Sequence, residues 1–184
     1  MPGDPITRYD LMPIPPIDAH TAWFDAGAVR IGVEYRLLSE AIAAASAIEA
    51  ASGDDAAGPI GHDRGVSLHV FGVDAAGNAS EHLRFDCFDE DPHYHYVSFR
   101  DKRNEMLHID PVADGDPLAW ALERISTRLP QMLRRAGAED IAHRVDTAAI
   151  EAILPRVTEA AYRARYDHDD DAIEAAILAG GGSA

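Results

Sequence analysis

His93 and His95 are separated by a single tyrosine in the stretch HYHYVSF. Side chains two apart on a strand leave the same face, so this pair can chelate one divalent cation through its imidazole nitrogens. A metal-dependent enzyme built on them needs a third ligand. His69, Asp86 and His108 are the candidates, with Tyr96 or Arg84 orienting a substrate. Without that ligand, both rings belong at the edge of a core, each bonded to backbone or carboxylate. The pair alone favours this plainer arrangement, so no cofactor is predicted and a divalent metal is kept as the alternative.

Arg84 and Asp86, together with His69, Tyr94, Tyr96 and His108, form a second set with chemical capacity. An arginine can fix a carboxylate through paired N–H donors while a neighbouring histidine moves a proton. That is the equipment of a small-molecule binder or an acid/base enzyme. Histidine, arginine and tyrosine on one sheet face also suit a contact with another protein.

Other motifs fall short of a site. His108 and Asp110 have the spacing of the first two ligands of a two-histidine, one-carboxylate iron centre, but a helix follows them. Asp167–Asp171 has the acidity of a calcium loop, yet Ala172 stands where the turn needs glycine. Those aspartates suit the positive end of the helix after them. No serine lies in G-x-S-x-G, and GPIGHDRG (58–65) lacks the Lys-Ser/Thr end of a phosphate loop. Cys87 alternates with apolar neighbours and reads as a buried, inert thiol. Arg124, Arg128 and Arg135 align on the polar side of a helix, where they suit the helix dipole or an anionic ligand.

A sheet must position these residues. Val29, Ile31, Val33, Tyr35 and Leu37 alternate with Arg30, Gly32, Glu34 and Arg36. Leu68 and Val70 alternate with Ser67 and His69, and Leu83, Phe85 and Cys87 with His82, Arg84 and Asp86. Period two with one apolar face means half-buried strands. The predicted fold is α+β: a mainly antiparallel sheet of about five strands, near 28–38, 66–73, 80–88, 93–99 and 104–111. In the strand at 93–99, pairing Val97 and Phe99 with Leu107 and Ile109 puts Tyr94 and Tyr96 on the polar face and turns His93 and His95 to the core. A bulge near Pro92 would reverse that.

Asp116-Pro117 starts a helix near 117–136 whose apolar residues, from Leu118 to Ala136, make one stripe to cover the sheet. Pro130 predicts a kink or break in it, and Gly137 its end. Further helices are expected near 138–145, 147–165 with a break at Pro155, and 170–179, with an alanine-rich one from Ser39 to about Gly53. The chain thus divides into an extended proline-rich arm (1–20), an α+β core domain (21–146) and a C-terminal helical extension (147–184).

The net charge of −16 turns the chain away from nucleic acid and from anionic membranes, both of which attract Lys and Arg. A lone cysteine, an N-terminus without a basic segment and apolar run, and apolar windows shorter than the ~20 residues of a membrane span point to a cytoplasmic protein. Taken together, the residues point first to a non-catalytic binding or accessory protein. It would be a homo-oligomer or the small subunit of an enzyme complex, meeting another copy or a protein partner through the His/Arg/Tyr face. A binder or acid/base enzyme for a small anionic ligand comes second, and the metal-dependent enzyme third.

Overall fold

A computed structural model describes residues 6–9, 12–39 and 62–180. Its strands are β1 (Ile6–Tyr9), β2 (Thr21–Ala26), β3 (Val29–Leu38), β4 (Asp63–Val73), β5 (Ala79–Phe88), β6 (His93–Ser98) and β7 (Arg103–His108). They form one seven-stranded sheet in the order β1-β7-β6-β5-β4-β3-β2, and every pairing is antiparallel. The chain meanders from β2 to β7, and β1 lies along the outer edge of β7. The α+β class and the antiparallel sheet agree with the sequence, but about five strands was too few. Both additional strands are edges. β1 is four residues long within the proline-rich arm, and β2 (TAWFDA) lacks a clean apolar alternation.

The helices are α1 (Pro111–Asp114), α2 (Pro117–Arg135), α3 (Glu139–Arg144), α4 (Thr147–Tyr166) and α5 (Asp170–Gly180). Asp116 caps α2 by accepting the amide of Ala119, and Asp146 caps α4 through the amide of Ala149. Each cap satisfies a donor that the first helical turn leaves open. Beyond α2, Gly137 takes a φ of +85°, a left-handed conformation that costs glycine little. Pro155 sits inside α4 without breaking it, against expectation. The apolar stripe of Ile150, Val157 and Ala161 stays buried on both sides of the proline, so packing holds what one lost backbone bond would loosen. The alanine-rich helix expected after Ser39 lies outside the described residues. Among those described, no helix is long and apolar enough to cross a membrane.

One face of the sheet is oily. Ile31, Val33, Val66, Leu68, Val70, Leu83 and Phe85 are buried there, with α4 packed on β2, β3 and β4 and α2 on β5. Leu118, Ile125, Leu129 and Leu133 supply the matching stripe of α2. Burying a side chain of this size contributes about 1.5–3 kcal/mol, so this layer drives folding.

Strand parity changes once. The β4–β5 register shifts after Val70, which pairs with Leu83, while Phe71 pairs with Glu81. His82 is the extra residue of a β-bulge. It was expected on the polar face, but the bulge turns Glu81 there in its place.

Candidate metal centre

The second face carries the chemistry. Cross-strand pairing sets Gly32, His69, Arg84, His95 and Met106 in one row, and Glu34, Ser67, Asp86, His93 and His108 in the next. His93 and His95 therefore share a face with Arg84 and Asp86. Tyr94 and Tyr96 lie on the other face with Phe85 and Leu83. This reverses the parity expected for β6, and no bulge near Pro92 is needed. Val97 misled the pattern: it is apolar and fully buried, yet it pairs with Asn104 on the polar side.

Asp86 of β5 and His93 and His95 of β6 converge. One ligand atom from each lies within 4.8 Å of the other two. Nε2 of His93 is 3.4 Å from Oδ2 of Asp86, and Nε2 of His95 is 3.5 Å from the same oxygen. These separations exceed the ~2.7–3.2 Å of N–H···O hydrogen bonds. Three ligand atoms about 2.0–2.1 Å from a tetrahedral metal would stand about 3.3 Å apart, against about 2.9 Å for an octahedral edge.

The outer nitrogens fix the ring orientations. Nδ1 of His93 donates to the backbone carbonyl of Asp91 at 2.7 Å, and Nδ1 of His95 donates to Oδ1 of Asn104 at 2.8 Å. With Nδ1 so engaged, Nε2 of each ring is left facing Asp86, and the outer bonds hold both rings in place. That is the second layer of contacts histidine metal ligands require. Ser67 donates its hydroxyl to the other oxygen of Asp86. Burial works against ionisation of Asp86, but the two histidines and the charge of Arg84 override it and hold the carboxyl well below its usual range. Burial would lower His93 as well, yet its contact with Asp86 raises it. Asp86 and His95 are buried, and His93, with 14% of its side chain exposed, marks the way in.

Beside this cluster runs a sealed line of charges. Nδ1 of His69 meets Oε1 of Glu81 at 2.7 Å, and Nε2 meets Oε2 of Glu34 at 3.1 Å. Arg84 grips Glu81 through two N–H···O bonds of 3.0 and 2.8 Å. Glu34, His69, Glu81 and Arg84 are all 3% exposed or less. Burial opposes the charge on Glu81, but His69 and Arg84 bring its carboxyl below the ordinary value.

Part of the proline-rich arm helps seal them. The carbonyl of Ile14 accepts from Arg84 at 2.7 Å and from Arg36 at 3.5 Å, and the amide of Ile17 donates to Glu34 at 3.1 Å. Proline has no N–H to satisfy, so such a segment can cross a polar face with few donors to place.

The remaining candidates are placed as follows. His108 lies across from His93, with 6.4 Å between ring centroids, but is exposed and bonded to Asp91. Asp110 caps α1, and Asp169 accepts the amide of Ala172 in the first turn of α5. Cys87, expected to be buried, is half-buried, and the burial it has pushes its thiol up. Glu81, Ser67 and Asn104 were not singled out from the sequence. The bulge hid Glu81, and a lone serine or asparagine on a strand carries no spacing signal.

A family model described as Domain of unknown function (DUF7700) matches residues 23–161. No curated protein and no solved structure matches the chain.

Proposed function

The chain belongs to the DUF7700 family, and we propose that it is a metal-dependent enzyme holding a single divalent transition metal on Asp86, His93 and His95. The carrying observation is that two Nε2 atoms, their rings oriented by Asp91 and Asn104, face one oxygen of Asp86 at 3.4 and 3.5 Å. Structural zinc sites are usually closed by four protein ligands, whereas catalytic ones take three and leave a position for water or substrate. Three ligands with an opening at His93 fit the second pattern. A bound metal would supply Lewis acidity and lower the pKa of its water. Zinc hydrolases and mononuclear iron centres both use two imidazoles and a carboxylate, so elemental analysis names the ion. This reading is preferred to a non-catalytic accessory role because His69 and Arg84 spend their hydrogen bonds within the chain and offer no surface to a partner.

The test is elemental analysis of tag-free protein purified without chelators, followed by zinc titration of the stripped protein. About one equivalent of tightly bound metal, lost in Asp86→Asn and in His93→Ala, is expected. Absence of stoichiometric metal, with no zinc-dependent rise in melting temperature, would overturn the proposal.

A further inference from the structure

A second concavity lies on the other side of the sheet, where α2 meets β6. It is a hollow of about 230 Å³ lined by Tyr94, Tyr96, Trp120, Arg124, Arg128 and Gln131. Trp120, Arg124 and Arg128 recur every fourth residue, so they form one row along the helix. The guanidinium of Arg124 stacks over the Trp120 ring at 4.8 Å. Tyr94 packs against Trp120 at 5.3 Å and edge-on to Tyr96 at 5.6 Å.

Three features of this hollow ask for a ligand. First, it gathers two arginines on a chain of net charge −16, and among the described residues no carboxylate pairs with Arg128. Arg124 has only its exposed neighbour Glu123. Second, Trp120, whose buried indole N–H has no acceptor among the described residues, stands in its wall. Third, the walls are aromatic, and burial keeps both tyrosine hydroxyls protonated, pushing Tyr96 up to about 12.

We propose that this hollow binds a small carboxylate carried on a planar apolar body, an aryl carboxylate. The arginine forks hold its oxygens and Tyr94, Tyr96 and Trp120 face its ring. Guanidinium pairs match a carboxylate bidentately, and aromatic walls favour a flat partner over a hydrated inorganic ion. The volume lies below the ~300–1,000 Å³ of sites for drug-sized ligands, so the ligand is small. The site stands apart from the metal centre, since Tyr94 and His95 leave β6 on opposite faces.

Benzoate is the probe, with benzamide as its uncharged counterpart and inorganic phosphate as the ion without a ring. Binding to the full chain is followed by calorimetry and by the two tryptophan indole N–H resonances. Trp23, whose N–H bonds Asp18 on the far side of the sheet, serves as the internal reference. Saturable benzoate binding that shifts Trp120 and not Trp23, weakens about tenfold or more in Arg128→Gln and Arg124→Gln, and is absent for benzamide is the expected result. Both variants change exposed or half-exposed positions on α2, and an unaltered Trp23 resonance reports that the fold is intact. No saturable benzoate binding, binding indifferent to both variants, or phosphate binding as tightly as benzoate would each overturn the assignment.

Discussion

His95 donates its Nδ1 proton to Oδ1 of Asn104, 2.8 Å away across the β6–β7 pair. The bond commits the other ring nitrogen to the interior, toward Asp86, so a residue that ligates nothing decides which histidine atom is available. Asn104→Leu should therefore weaken zinc affinity by about 10- to 100-fold while leaving some binding through the three ligands. Competition against a chromophoric chelator measures it. An unchanged affinity would mean that the ring needs no such anchor.

Glu81 makes stability depend on acidity. Its folded carboxyl lies below its ordinary 4.5, so its contribution is complete above that value and is lost as pH falls through the lower, folded pKa. In that window the unfolded chain binds more protons, and stability rises with pH. Urea midpoints between pH 6 and 3 should fall for the native chain, and Glu81→Gln should show a smaller fall from a lower starting stability. Parallel curves would exclude Glu81 as a source.

Residues 12–17 close the charged line, so a chain shortened to begin at residue 18 should be less stable by about 3 kcal/mol or more. It loses the β1–β7 pairing as well as the Ile14 carbonyl bond to Arg84 and the Ile17 amide bond to Glu34, each of these two a hydrogen bond to a charged group. Urea unfolding of the two forms decides it. Equal midpoints would show that water replaces the arm without cost.

Gly32 is required by its neighbour. A Cβ there would stand 2.7 Å from Cζ3 of Trp23 and 2.9 Å from Cγ2 of Thr21. Gly32→Ala should push the indole off the sheet, away from Arg30 and Phe71, and cost about 1–3 kcal/mol. A changed Trp23 fluorescence should accompany the loss, and a variant of native stability and spectrum would refute the contact.

The sheet's central strands and α2 were legible because alternation and a capped apolar stripe are local signals. Val29–Leu37 carries the first, and Leu118–Ala136 carries the second across Pro130, which stands inside α2 without ending it despite the kink or break expected there. β1 was not legible, since its partner Leu107 lies a hundred residues away in the chain and nothing in ITRY announces it. The metal candidates were named, but their geometry was not. Whether His93 and His95 or Tyr94 and Tyr96 join Asp86 depends on the β5–β6 register, and Val97 argued for the wrong one. Glu81 was lost to the bulge, a displacement of one residue that periodicity cannot register.

The line from Glu34 through His69 and Glu81 to Arg84 has one further consequence, for the chain's response to ionic strength. Dissolved ions weaken attractions between charges they can surround, and these four are buried away from the surface. The surplus carboxylates outside repel one another through solvent and are within reach of added cations. Raising the salt concentration should quiet the repulsion at the surface and leave the interior attractions nearly unchanged, and a urea midpoint that climbs with added sodium chloride is the expected outcome.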